Sequence, residues 1–440
     1  MAFDTAAVRS QFPILRRKVR GADGRDRPLT YLDHGASTHA PQPVIDAVSD
    51  FLSTTYANVH RARHTLSQES SEAFEQATAT LAGFIGADEQ VQPICLTGNT
   101  TQALDLAAHL MAGTKGATVI TQAEHHSNDL THRRRGQVLR APVDGEGRLL
   151  LDATRELLED NTVKLLAVTG ASNVTGLMPP VHKLARLAHD HGARILVDAA
   201  QLYAHAPIDV KEPGHAEHLD FVAAAGHKAY APVGSAFLAA PADLVDAAPP
   251  HMVGGGTVNW VTERGVSHKG GPERHSGGTP NVVGAVAFAA ATRFLEGLGM
   301  DNVREHEVVL VRHALARFQR LHDDHGVQLL GPREPGAARF KVGVFAFTTP
   351  GLDHGLCSEK LDQGWGIATR NGCFCAQPLL NQLLGLGVEP AWTKAPAGEA
   401  VEIPGATRAT LGVYNTRKDV DLLCDALGEL CASSKVPLRA

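Results

Sequence analysis

Leu219-Asp-Phe-Val-Ala-Ala-Ala-Gly-His-Lys228 is an apolar, strand-like run that ends in Gly-His and a lysine. Pro232 and Gly234 then break the chain. The carboxyl end of a buried strand is where open α/β sheets bind their ligands. An amine placed there is partly desolvated and can form a Schiff base. A lone lysine after Gly-His reads more readily as a surface residue following an edge strand. A second run upstream changes the balance. Arg194-Ile-Leu-Val-Asp-Ala-Ala-Gln201 is another apolar strand, and it ends in an acid, Asp198.

An acid and an amine at two strand ends are what a pyridoxal phosphate (PLP) enzyme needs. The lysine holds the cofactor aldehyde covalently. The acid keeps the pyridine nitrogen protonated, so that the ring can accept carbanion electrons.

Outward from these two runs, strands and helices alternate. Gln92 to Leu96 is apolar, Gly98-Asn-Thr-Thr101 breaks it, and a helix runs to about Met111. Ala117 to Thr121 and Val163 to Thr169 are further strands. Pro179 to Gly192 reads as a helix with Pro at its start, Val181, Leu184, Ala185 and Ala188 on one face, and Gly closing it. This alternation predicts an α/β fold with a mostly parallel sheet between helices. Upstream, Val8, Phe12 and Leu15 mark a short amphipathic helix, and Gly21 to Pro28 is turn chemistry. Helices are expected at about 42–56 and 68–85. Residues 249–281 are Gly- and Pro-rich and read as irregular. Beyond them the pattern predicts one or two helices over 284–326, strands at Phe340 to Phe347 and Gly366 to Arg370, a helix over Cys357 to Gln363, and a last helix over 417–433. These boundaries divide the chain into an N-terminal segment (1–30) that packs with the small domain, a large domain (31–290) and a smaller C-terminal α+β domain (291–440).

The chain has 440 residues, 43% hydrophobic and 20% charged, with a net charge of −6. That is the composition of a soluble globular protein. No basic run is long enough for a nucleic-acid footprint; Arg133-Arg-Arg135 is the densest cluster and reads as a solvated loop. No apolar run suits a membrane span, and the N-terminus does not read as a leader. Six cysteines are too sparse for a disulfide framework in a chain of this length. Cytoplasm is therefore the expected compartment. Cys95, Cys424 and Cys431 read as core; Cys373 and Cys375 stand in a Gly-flanked loop. No pattern of ligand spacing calls for a metal ion.

Other strand ends carry polar groups. Thr100 and Thr101 open a helix, which suits a phosphate but equally an ordinary N-cap. His125-His126 reads as stacked, catalytic or simply polar loop. Asn173 ends a further strand. These groups, with Asp198, Gln201 and Lys228, all fall on the ligand-binding edge of one sheet.

The chain resembles the fold-type-I PLP enzymes of the class V aminotransferase family, and within it the group II cysteine desulfurases and selenocysteine lyases. The matching runs are Ala57-Asn-Val-His-Arg61, Asn99-Thr-Thr101, Glu124-His-His126, Ser172-Asn173, Val197-Asp-Ala-Ala-Gln201, Gly226-His-Lys228, Gly277-Gly-Thr-Pro-Asn281, Arg370-Asn-Gly-Cys-Phe-Cys375 and Thr407-Arg-Ala409. They stand in family order, and the resemblance extends from Tyr31-Leu-Asp33 to Val413-Tyr-Asn415. The resemblance implies a seven-stranded, mostly parallel sheet in the large domain. It implies Lys228 as the cofactor lysine, Asp198 at the pyridine nitrogen, Gln201 at the phenolic oxygen, and Asn173 near that oxygen or the substrate. His125 would stack on the ring and move protons. Thr100 and Thr101, with His227, would hold the phosphate. Thr279 would reach the phosphate of a neighbouring subunit, which implies a homodimer. Arg408 would clamp the substrate carboxylate, with Arg370 and His60 lining the same side. Cys375 would accept sulfur from L-cysteine, leaving alanine and an enzyme persulfide. A sulfur-acceptor protein is a partner that the resemblance allows.

The chain departs from the pattern at three places. Ala225 stands where many relatives have serine. The loop Cys373-Phe-Cys375 has two cysteines, as in molybdenum-cofactor sulfurases. About twenty extra residues lie near Gln382 to Pro404. These departures keep a second activity open on the same scaffold: C–S lyase chemistry on an S-substituted cysteine, which needs Lys228 and His125 but no cysteine nucleophile.

Overall fold

A computed structural model describes residues 3–59, 62–394 and 403–434. Seven strands form the central sheet. Side by side they run Ile94–Thr97, Ala236–Ala239, Phe221–Ala225, Arg194–Asp198, Val163–Thr169, Ala117–Thr121 and Val138–Ala141. Ala236–Ala239 is antiparallel to both its neighbours, and every other pairing is parallel. Phe221–Ala225, Val163–Thr169 and Ala117–Thr121 are buried along their whole length. A strand covered on both faces must be apolar at successive positions rather than alternate ones, which explains runs such as Val163–Thr169. Alternate residues nevertheless join different cores. Leu166, Val168, Ile195, Val197 and Val222 pack on one face; Leu165, Ala167, Leu196 and Ala223 pack on the other. Helix Val181–Asp190 covers the first face with Leu184, Ala185 and Ala188. Helix Thr100–Leu110 covers the second with Leu104, Leu106, Ala107 and Leu110.

Helix Val282–Leu298 still belongs to the first core. Gly299, with φ +75°, then turns the chain into helix Met300–His325 at a bend of 74°. The second core is built on a four-stranded antiparallel sheet in the order Gln328–Leu330, Val344–Thr348, Ala406–Thr410, Arg370–Gly372. Phe318 of the long helix stacks on Phe345 at 5.7 Å and lies tilted against Phe347 at 5.4 Å. Each such buried ring contributes about 1.5–3 kcal/mol. Helices His354–Trp365 and Arg417–Ser434 complete this core through Leu361, Leu423 and Leu427.

The N-terminal segment is tied to both cores. Phe12 lies 4.6 Å from Tyr414 and 5.8 Å from Phe294. Thr30–Tyr31 pairs in parallel with Ile367–Ala368. Residues 21–28, read as turn chemistry, contain one arm of a hairpin formed by Lys18–Arg20 and Asp26–Pro28. Two further expectations are corrected. The region 249–281 is not wholly irregular: Val258–Val261 and Val266–His268 form an antiparallel hairpin. Its side chains are largely exposed, Trp260 by 55%, so no burial pattern betrays it. The strand expected from Phe340 begins at Val344, because Pro335–Arg339 forms a 3-10 turn that leaves Phe340 exposed. Strands Val138–Ala141 and Ala236–Ala239 escaped the sequence reading; each has only four residues.

Candidate active site

Strand Phe221–Ala225 runs straight into a 3-10 turn, Gly226–Lys228. Gly226 is required there: a Cβ would lie 3.0 Å from Gly234 Cα and from Ser235 O. Thr38 pins the turn, its N–H and hydroxyl donating to His227 O at 2.8 and 3.0 Å. Tyr230, held at φ +66°, donates its N–H to Thr38 Oγ1 at 2.7 Å and accepts from Val413 N–H at 2.8 Å. Lys228 thus leaves a rigid corner. Burial brings its ammonium down to about 8, opposed by the nearby Asp198 carboxylate. Asp198 ends the adjacent parallel strand, opposite Ala223. Burial raises its pKa from the ordinary value, against a hydrogen bond from Ala200 N–H and the charge of Lys228.

His125 caps helix His126–Arg133 and accepts from Ser127 N–H at Nδ1, 3.1 Å away. Ser127 Oγ lies 3.0 Å from the same Nδ1 and 2.7 Å from Thr101 Oγ1, so two strand ends are joined through one hydroxyl. Burial, then the charge of Lys228, lowers His125 to about 4, which leaves a neutral imidazole at neutral pH. His227 falls to about 4 for the same two reasons. Beneath them Glu124 accepts from Thr121 Oγ1 at 2.5 Å, Asn128 Nδ2 at 2.7 Å and Thr169 N–H at 2.9 Å. Its burial is deep enough to push it up to about 8 despite these bonds.

The second sheet brings Arg408, 3% exposed, to the opposite wall. Arg408 Nη1 donates to Asn173 O at 2.9 Å, and its Nη2 lies 3.6 Å from Asp33 Oδ1. Arg408 Nε is buried with no partner among the described residues. Burial lowers its pKa to about 10. Phe374 lies under its guanidinium at 4.8 Å. Asn173 does not point to open space: its Nδ2 donates to Phe374 O at 2.6 Å. Cys375 is exposed, and its carbonyl accepts from His126 N–H at 2.6 Å.

Thr100, Thr101, His125, Asn173, Asp198, Gln201, His227, Lys228, Arg370, Cys375 and Arg408 line a single cleft of about 270 Å³. Thr279 does not join them. It is exposed on a separate hollow of about 630 Å³, beside Asn58, Lys269 and Gly278. His60 lies outside the described residues. Asp33, Thr38, Ser127 and Phe374 were missed as site residues. Asp33 and Phe374 stand inside quoted motifs, but nothing local marks their contacts. The cleft suits an anionic aromatic ligand that can bond covalently. It offers an amine, an acid one strand away, a flat neutral imidazole and a helix N-terminus. Three of its buried polar atoms, Thr100 Oγ1, Gln201 Oε1 and Arg408 Nε, have no partner among the described residues, an arrangement that a ligand would complete.

The family model for aminotransferase class-V matches residues 30–423. A cysteine desulfurase of Haloferax volcanii is 34% identical, covering 96% of both chains. A cysteine desulfurase of Escherichia coli is 33% identical over 97% of this chain and 98% of that one. The apo structure of a cysteine desulfurase from Thermococcus onnurineus superposes with a TM-score of 0.83 at 30% identity, over 98% of this chain and all of that one. The chain belongs to the class V aminotransferase family.

Proposed function

We propose that this chain is a PLP-dependent cysteine desulfurase that takes sulfur from L-cysteine onto Cys375 and leaves alanine. The observation that carries this reading is Cys375: an exposed thiol at the cleft that also holds Lys228, Asp198 and the free Nε of Arg408.

PLP supplies the electron sink that weakens bonds around the substrate Cα and Cβ. The protein does the rest. Lys228, with its ammonium brought down to about 8, is the amine that carries the cofactor. Asp198 and Gln201 serve its ring nitrogen and phenolic oxygen. Thr100, Thr101 and His227 take the phosphate at the start of helix Thr100–Leu110. Arg408 binds the substrate carboxylate through Nε, the donor left open. His125 has Nδ1 engaged by Ser127, so Nε2 takes and returns the substrate proton. Cys375 then attacks the substrate sulfur, with the Lys228, Arg370 and Arg408 cations around it.

We infer a homodimer from the exposed Thr279 and its adjoining hollow, which a second subunit's phosphate site would meet. The cytoplasm and the three-part division at 30 and 290 remain part of this reading, as does a sulfur-acceptor protein. The test is product identity from L-cysteine. Alanine supports a desulfurase; pyruvate in its place would establish C–S elimination instead.

A further inference from the structure

Of the six cysteines, Cys95, Cys357, Cys424 and Cys431 are buried; only Cys373 and Cys375 reach solvent. They flank a single residue in a tight turn. Ala376 N–H donates to Cys373 O at 3.0 Å, and Phe374 and Cys375 both have φ of +54°. A turn closed from its first to its fourth residue, with positive φ at both centres, is of the I′ type. Residues i and i+2 across one left-handed residue stand about 5.5 Å apart, from the helical radius and rise that this mirror-image conformation shares. That is within the range of about 4.4–6.8 Å that a disulfide spans, but side chains two residues apart in this conformation point to different sides, so a bridge forms only when the turn opens.

The turn is also strained. Neither central residue is glycine, and a non-glycine residue at positive φ is held there only by its surroundings. Four contacts hold it: Asn173 Nδ2 on Phe374 O at 2.6 Å, His126 N–H on Cys375 O at 2.6 Å, Gln377 N–H on His126 Nε2 at 3.0 Å, and Arg408 over the Phe374 ring at 4.8 Å. Arg408 and Asn173 line the same cleft, so a bound ligand competes for two of the four. A turn relieved of those contacts has strain available to bring its two thiols together.

We propose that Cys373 is a resolving thiol for Cys375. This rests on the desulfurase reading above. The Cys373 thiolate attacks Sγ of the Cys375 persulfide. The Cys373–Cys375 bond forms, the bond from Cys375 Sγ to the outer sulfur breaks, and hydrosulfide leaves with the proton that Cys373 gave up. The outer sulfur is reduced to sulfide, and the two cysteines are oxidised to a disulfide. Attack within one turn has a large effective concentration. An external dithiol reduces the bridge and resets the enzyme. Without an acceptor, the chain would thus release sulfide once and stop.

The experiment uses PLP-loaded protein, reduced and then freed of reductant under anaerobic conditions, with one equivalent of L-cysteine per site, so that no surplus substrate thiol is left to reduce a bridge. Wild type is expected to give about one sulfide per alanine in this single turnover and to keep the Cys373–Cys375 bridge until a dithiol is added. The tryptic peptide Asn371 to Lys394 should be lighter by two hydrogens. Cys373→Ser should form the same first alanine but keep the sulfur on Cys375, with sulfide release down at least about tenfold. A wild-type peptide heavier by one sulfur, with Cys373 free and sulfide no faster than in Cys373→Ser, would overturn the proposal and leave the desulfurase reading standing. Absence of alanine from both proteins would overturn the desulfurase reading and this proposal with it. As a check independent of turnover, diamide should bridge the pair in wild type, and failure to do so would also overturn it.

Discussion

Asp33 holds Arg370 in a fork, with Nε 3.1 Å and Nη2 2.9 Å from its Oδ2. Its other oxygen lies 3.6 Å from Arg408 Nη2. One carboxylate therefore stands between two guanidinium groups and fixes their separation. Arg370 is half exposed, and Asp33 and Arg408 are nearly buried. Charge-assisted hydrogen bonds in such surroundings are worth about 1.5–3 kcal/mol.

Asp33→Asn removes that anchor. Arg408 would lose alignment toward the substrate carboxylate and feel Arg370 unscreened. The expected result is a KM for L-cysteine raised about tenfold, since about 1.4 kcal/mol is a factor of ten, with a smaller change in kcat. Steady-state alanine formation measures both. An unchanged KM would show that Arg408 is positioned without Asp33.

Lys228 carries a pH prediction. Its pKa is lowered from 10.5 to about 8, first by burial. Only the neutral amine captures an aldehyde. Uptake of PLP by apo-protein should accelerate about tenfold per pH unit below 8 and level off above it. The sign for stability follows from the same shift. Between about 8 and 10.5 the unfolded lysine binds more protons than the folded one, so apo-protein gains stability as pH rises through that window. Stopped-flow absorbance and thermal melts are the two measurements. Lys228→Ala should yield no borohydride-stable adduct. Uptake independent of pH from about 6.5 to 9 would contradict the lowered pKa.

Gly226→Ala tests the corner that aims Lys228. The new Cβ would press on Gly234 Cα and Ser235 O at 3.0 Å and on Phe288 Cγ at 3.2 Å, and backbone atoms cannot swing aside. A loss of about 1–3 kcal/mol is expected, together with incomplete cofactor loading. Denaturant melts and PLP content would show it. Wild-type stability with full loading would mean that the turn shifts freely.

Much of this fold is legible in the chain because burial writes itself into composition. Ala117–Thr121 and Val163–Thr169 are covered on both faces, and their apolar runs match the strands residue for residue. The hairpin at 258–268 is mostly exposed, and its residues carry no such signal. The same contrast holds in the cleft. Strand ends place Thr101, His125, Asp198 and Lys228, and strand ends are visible in sequence. The bond from Asn173 to Phe374 joins residues 201 apart, and the fork on Asp33 joins residues 337 apart. Such contacts depend on how two sheets dock, which no local pattern encodes. Asn173 shows the consequence. Sequence resemblance directs it to a ligand, whereas its amide here donates to the Cys loop.

Cys375→Ala separates sulfur acceptance from everything before it. The side chain is exposed and its backbone bonds, not its thiol, hold the turn. The substitution should therefore leave stability within about 0.5 kcal/mol of wild type. Cofactor loading should be normal, because Lys228, Asp198 and Thr101 are untouched. L-Cysteine should still bind and change the cofactor spectrum, because Arg408 keeps its open Nε. Alanine formation should fall at least about a hundredfold, because no other thiol at the cleft can attack the substrate sulfur while the carboxylate is held. His125→Ala should instead lose alanine formation through proton transfer, with Cys375 still open to alkylation. Alanine and pyruvate are measured from L-cysteine and from an S-substituted cysteine for both variants. Full elimination activity of Cys375→Ala on the S-substituted substrate, with no alanine from wild type and L-cysteine, would reassign the cleft to C–S lyase chemistry.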